Sequence, residues 1–207
     1  MEDDQMFACF LSYRHSLDPE AAKYVREFKK LLQKHVAARA AGLKVYLDED
    51  YLVGGKLDPK LARALCRSAC FVIYYSRFHF DPANPYCARE YQAMLALEQR
   101  RQAAVKKEDS LIITVARRDF ERIPQELKDR YCYDFTNVLT EHDFSLKASQ
   151  VKIDKIATEV ANRWEDLRDS GLFSDGGCKD FALPEVGTFA AWLQRTSNRP
   201  SAAMPGH

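Results

Sequence analysis

Glu90 is the side chain of this sequence best placed to do chemistry. It closes the stretch Asn84-Pro85-Tyr86-Cys87-Ala88-Arg89-Glu90. That stretch reads as the start of a helix, with Asn84 as N-cap and Pro85 in the first helical position. Tyr86 and Cys87 precede Glu90 at helical spacing, and Ala93 and Met94 follow it. No cation stands three or four residues away, so the face around the carboxylate reads as apolar and aromatic. A carboxylate in such a setting is unfavourable unless something compensates it. Groups of this kind mark clefts where acid–base or electrostatic chemistry occurs, although a structural ion pair with Arg14 or Arg77 is the competing reading. Cys87 reads as a buried filler rather than a nucleophile. No histidine shares its helical spacing, and only His79, from the preceding loop, is placed to approach it. His15, His35 and His142 show no spacing suited to a metal.

The elements that must position Glu90 alternate in type. Residues 6–13, 43–47, 70–75, 111–115 and 131–135 read as strands. Residues 19–40, 59–68, 85–101, 123–128 and 152–168 read as helices. The helix 19–40 has Asp18 as N-cap and carries Val25, Phe28, Leu31, Leu32 and Val36 at the 3.6 period; Gly42 ends it. The run CFVIYY at 70–75 is apolar on both faces, as a central parallel strand is. Alternation with short connections implies right-handed crossovers. The fold class is α/β: a flavodoxin-like, five-stranded parallel sheet with helices on both faces. Ligands bind such sheets outside the carboxyl ends of the strands. Those ends carry Ser12, Tyr13 and Arg14, then Asp48, then Ser76, and Glu90 opens the helix after the third strand, so all converge on one rim. From Gly171 the pattern weakens. We read residues 1–170 as the domain and 171–207 as an extension. In the extension, 184–195 suggests a short amphipathic helix using Val186, Phe189, Trp192 and Leu193, and 196–207 a disordered tail.

Composition narrows the function classes. A chain of 207 residues with 46% hydrophobic side chains can build one domain with a full core. Its 31 basic and 30 acidic residues leave a net charge of +1, which argues against a nucleic-acid binder. The pairs Arg100-Arg101 and Lys106-Lys107 read as a solvated helix end and loop. The cysteines Cys9, Cys66, Cys70, Cys87, Cys132 and Cys178 form no CxxC pair and match no zinc spacing, so they are expected as reduced thiols. The acidic start lacks a signal peptide's pattern, and no apolar run nears the ~20 residues of a membrane span. The expectation is a soluble, cytoplasmic protein with no metal and no bound cofactor. Receiver chemistry needs an aspartate where Tyr75-Ser76 stands. The Arg14-His15-Ser16-Leu17 loop is a poor flavin-phosphate loop, and neither GxGxxG nor a Walker sequence occurs.

Taken in order, these residues resemble the TIR (Toll/interleukin-receptor) domain. Phe10-Leu11-Ser12-Tyr13 resembles the family's first box. Residues 45–54, from Val45-Tyr46-Leu47-Asp48-Glu49-Asp50 to Gly54, resemble the second box and the BB loop. Ser68, Ser76 and Cys87-Ala88-Arg89-Glu90 match the remaining landmarks. The likeness runs over about residues 6–168. Two positions depart from it: Val53-Gly54-Gly55 replaces the frequent Pro-Gly of the BB loop, and Tyr86 the frequent Trp.

The resemblance implies one of two functions. Many bacterial and plant members cleave the nicotinamide–ribose bond of NAD, while animal members mostly act as assembly modules. Enzymatic members carry a glutamate at the position of Glu90. By resemblance, then, Glu90 is catalytic and NAD is a substrate rather than a cofactor. Phe10, Ser12, Arg14, Asp48 and Ser76 belong to the nucleotide site, with Arg14 a phosphate contact, and Tyr86 and Cys87 shape the pocket around the ribose. The products would be nicotinamide with ADP-ribose, or a cyclised or conjugated form of it, in bacterial anti-phage immunity. The family also implies self-association through the BB loop, here 48–58, and a separately encoded sensor or effector. A non-catalytic adaptor is the alternative, and a glutamate-dependent nucleoside transferase of related architecture is a third reading.

Overall fold

The computed structural model describes residues 5–14, 19–47, 57–81, 85–172, 178 and 180–185. Five strands form one parallel sheet in the order β2-β1-β3-β4-β5. They are β1 (Phe7–Tyr13), β2 (Lys44–Leu47), β3 (Ser68–Tyr75), β4 (Ile112–Ala116) and β5 (Tyr131–Asp134). The helices are α1 (Pro19–Ala37), α2 (Leu57–Cys66), α3 (Tyr86–Val105), α4 (Gln125–Lys128) and α5 (Lys147–Asp169), with short 3-10 turns at Phe120–Arg122 and Glu141–Ser145. The expected α/β class and parallel sheet are thus observed. No described helix is long and apolar enough to cross a membrane.

Every residue of β3 is buried, because helices cover both sheet faces. Side chains alternate along the strands, so neighbours in register share a face. On one side α1 and α5 pack together, and Phe28 of α1 meets Tyr74, Phe135 and Phe144 at ring distances of 5.5, 5.9 and 6.2 Å. On the other side α2 packs against α3. There Phe10 stacks on its register partners Tyr46 and Phe71, at 5.0 and 5.8 Å.

Several sequence-based boundaries are corrected. α3 begins at Tyr86, with Pro85 as its N-cap residue rather than its first helical one, and the Pro85 carbonyl accepts the Arg89 N–H at 3.0 Å. Asn84 and Asp18, the expected caps, lie outside the described residues, as does the expected helix 184–195 from Val186 onward; Pro184 and Glu185 are described and lie in no helix. α3 runs on to Val105 and stops at Lys106 in the left-handed region, φ 54°. α5 starts five residues before the expected 152, since its first turn carries no apolar signal.

Two corrections involve cysteines and a charge. Cys66 and Cys178 are joined in a disulfide across 112 residues, so the expectation of six reduced thiols does not hold. Cys9, Cys70 and Cys87 are buried thiols, and Cys132 is partly buried. Arg101, read as solvated, is 6% exposed. Its guanidinium donates to the carbonyls of Ser68 at 2.7 Å and Cys66 at 2.6 Å, closing the junction of α2, β3 and α3.

Candidate functional site

β1 lies between β2 and β3, where the strand order reverses, so its carboxyl end opens on the crevice of the sheet. Ser12 sits there, 2% exposed, facing α3. Its hydroxyl donates to Glu90 Oε2 at 2.6 Å. The second turn of α3 thus carries its carboxylate against the carboxyl end of β1, and Glu90 is 5% exposed. His79 comes from the loop after β3. It is fully buried, with Nε2 at the long distance of 3.5 Å from Ser12 Oγ. Its Nδ1 is a buried atom without a hydrogen-bond partner among the described residues. Ser12 therefore connects a carboxylate and an imidazole across three segments of the chain.

The electrostatics follow from burial. Burial, with a smaller contribution from the Arg14 charge, pushes the His79 pKa down to about 3, so the ring is neutral at physiological pH. Burial first, then the nearby Glu90, holds the Cys87 thiol well above its ordinary range. Its Sγ donates to the Tyr13 carbonyl at 3.4 Å. A protonated, buried thiol is a poor nucleophile, which agrees with the filler reading. His79 points to Ser12, not to Cys87.

Beside this cluster lies a cleft of about 800 Å³ at the carboxyl ends of β1, β3 and β4, lined among others by Tyr13, Arg14, Tyr74, Ser76, Arg117 and Arg118. Arg14 pairs with Asp81 at 3.5 Å and keeps Nη1 buried without a partner among the described residues. Arg117 is held by the Val138 carbonyl at 3.1 Å and stacks on Tyr24 at 3.2 Å. A cleft rimmed with arginines suits a ligand bearing phosphates.

The expected site residues separate into groups. Arg14 and Ser76 line the cleft. Ser12 and Glu90 touch each other on the α3 face of the sheet and are absent from the cleft's described lining, which takes Ala21 and Val25 from α1 on the opposite face. Phe10 is fully buried between aromatic rings and presents no surface to a ligand. Cys87 is buried, whereas Tyr86 is 39% exposed and so does not share the buried face of Glu90. Asp48 lies outside the described residues. Neither Arg14 nor Arg77 forms the ion pair weighed for Glu90: Arg14 meets Asp81, and Arg77 lies over Phe78. Tyr74, Arg117 and Arg118 were missed, and His79 was weighed only as a partner of Cys87. The strand-end rule, followed one strand further to the Arg117-Arg118 pair after β4, would have found both arginines. No group of three potential metal-ligating side chains occurs among the described residues.

The buried histidine gives a pH prediction. Its folded pKa lies below the ordinary 6.5 or so, so the unfolded chain binds its proton first as pH falls. The stability it secures is present above about pH 6.5 and is lost toward pH 3, at roughly 1.4 kcal/mol per unit. Between pH 7 and pH 5 the wild type should lose on the order of 2 kcal/mol more than His79→Gln in urea unfolding. Equal losses would mean that His79 is not held neutral.

The TIR domain family model matches residues 9–148 of the chain. No curated protein matches it. Among solved structures, the TIR domains of the activated Roq1 resistosome, described as directly recognizing the pathogen effector XopQ, align with a TM-score of 0.36 and 20% identity, over 75% of this chain and 84% of that one.

Proposed function

The chain belongs to the TIR domain family, and from that premise we propose that it cleaves NAD, with Glu90 as the catalytic carboxylate. One observation carries the reading: a buried glutamate, held at 2.6 Å by Ser12, stands at the crevice of the sheet next to an arginine-rimmed cleft. The nicotinamide of NAD is already cationic. When the bond between its ring nitrogen and ribose C1′ breaks, the electron pair stays on nitrogen and a neutral molecule leaves. No general acid is needed, and the paired carboxylates of ordinary glycosidases are dispensable. Positive charge then develops at C1′, where one fixed carboxylate is worth a few kcal/mol. Water adds to C1′ and gives up a proton, yielding ADP-ribose. Attack by another nucleophile, including the substrate's own adenine, yields a cyclised or conjugated product. Arg14, Arg117 and Arg118 suit the pyrophosphate, and Tyr86 is the exposed aromatic wall at the start of α3.

Self-association belongs to this proposal. Ser12 and Glu90 are buried and do not line the cleft, so substrate reaches them only after a rearrangement at this rim, which a second copy of the chain would supply. The segment 48–58, most of it outside the described residues, is the natural contributor. The same enclosure favours the second reading, a non-catalytic TIR module acting by assembly, in a cytoplasmic signalling or immune role in either case. The test is incubation of concentrated protein with NAD and a crowding agent. Release of nicotinamide is expected. No release under any assembled condition, with self-association intact, would favour the adaptor.

A further inference from the structure

We propose that Cys178 and residues 180–185 form a redox-released strap between α2 and α3, closed by the Cys66–Cys178 disulfide and acting on Arg89 and Tyr86 beside Glu90. One end is covalent: Cys178 is bonded to Cys66 at the end of α2, with Cα atoms 5.8 Å apart. The other end is polar: the Pro184 carbonyl accepts from Arg89 Nε at 2.7 Å. Between them Phe181 packs on the core, and Leu183 is 7% exposed. The lengths agree. From Cys178 to Pro184 the chain spans at most about 20 Å. Arg101, which binds the Cys66 carbonyl, lies ~18 Å down α3 from Arg89. The two anchors therefore lie within this reach, and pinning one end helps to place the other.

The free end of this chain of contacts is the site. Arg89 lies over the Tyr86 ring at 5.6 Å, and Tyr86 is outside the core at 39% exposure. The strap orients Arg89, and Arg89 orients the ring. Arg89 and Tyr86 are positioning residues in this scheme, the first adjacent to Glu90 in sequence and the second one helical turn before it.

Opening the strap takes two electrons. Cys66 is 4% exposed and Cys178 only partly buried, so the attack falls on Cys178 Sγ. A thiolate of a dithiol reductant bonds to that sulfur, and the S–S electron pair leaves on Cys66, which takes up a proton. The reductant's second thiol displaces Cys178, which is protonated in turn. The dithiol ends as its own disulfide, and the chain gains two thiols.

The effect on NAD rests on the function proposed above, whereas the strap itself is tested without turnover. Alkylation of the denatured full chain should modify four cysteines before dithiothreitol and six after it. Amide exchange in residues 86–92 and 178–185 should accelerate at least about tenfold on reduction, and return to its first rate with oxidised dithiothreitol. Cys178→Ser should exchange at the fast rate throughout; reversible reduction of the wild type gives the same answer if that variant folds poorly. In an active protein, reduction should raise KM for NAD by roughly 3–10-fold with kcat changed less. Six alkylated cysteines without reductant would overturn the strap, as would unchanged exchange in 86–92 once the disulfide is open. Inactivity toward NAD with the exchange behaviour intact would overturn the NAD reading alone.

Discussion

Glu90→Gln should reduce nicotinamide release by roughly 10²–10³ in kcat, equivalent to about 3–4 kcal/mol of transition-state stabilisation. The substitution is close to isosteric. Its amide oxygen still accepts from Ser12, whose hydroxyl now lies 2.6 Å from the carboxylate, so the contact between α3 and β1 survives. What disappears is the negative charge, which matters only as C1′ becomes cationic. KM should therefore change little, since ground-state binding is assigned to the cleft. Thermal unfolding of the variant separates this from damage to the fold, because a lost charge in an otherwise intact contact leaves Tm nearly unchanged. Ser12→Ala should have a smaller effect on kcat, since it loosens the carboxylate without removing it. Undiminished turnover in a folded Glu90→Gln protein would remove Glu90 from the chemistry.

The architecture was legible in the sequence because it depends on burial periodicity. The runs at 70–75 and 111–115 are apolar on both faces, and only a covered parallel sheet accommodates that. Both fall within one residue or two of β3 and β4. Helix ends were harder to read. The stop of α3 at Lys106 adopts a left-handed conformation without the glycine or asparagine that usually announces it. The start of α5 buries only Ser149 in its first turn, so periodicity became visible from Ile153. A 3-10 turn at Glu141–Ser145 is set by a capping box between Thr140 and Asp143, a local signal outside the strand–helix reading.

The candidate site was legible one residue at a time but not as an arrangement. Glu90 stood out because its helical neighbours are apolar. Its partner Ser12 is 78 residues away, and no local pattern encodes that pairing. His79 is 67 residues from Ser12 and was considered only in relation to Cys87. The Cys66–Cys178 bond spans 112 residues. Cysteine spacing alone does not determine such a pairing. Each of these depends on which sheet face a residue takes and how α3 is rotated over it, and those are tertiary facts.

Arg100 and Arg101 show the same distinction in energetic form. Adjacent residues on a helix point about 100° apart, so one can face water while the next faces the core. Arg100 is exposed, and Arg100→Met should change stability by no more than about 0.5 kcal/mol. Arg101 is enclosed, and burial lowers its pKa only to about 10, so it remains charged at neutral pH. Among the described contacts that charge meets carbonyl dipoles: Nη1 binds Ser68 O and Nη2 binds Cys66 O. Arg101→Met keeps most of the volume and removes every donor. Carbonyls at the turn from α2 into β3 then lose a charged partner in a dry environment, at a cost of about 3 kcal/mol. In a domain of this size, Tm should fall by roughly 6–12 °C. Arg101→Lys should recover only part of the loss, because a single ammonium does not reproduce the two-pronged geometry. If Arg100→Met and Arg101→Met unfold together at the wild-type temperature, the junction of α2, β3 and α3 is not held by this guanidinium.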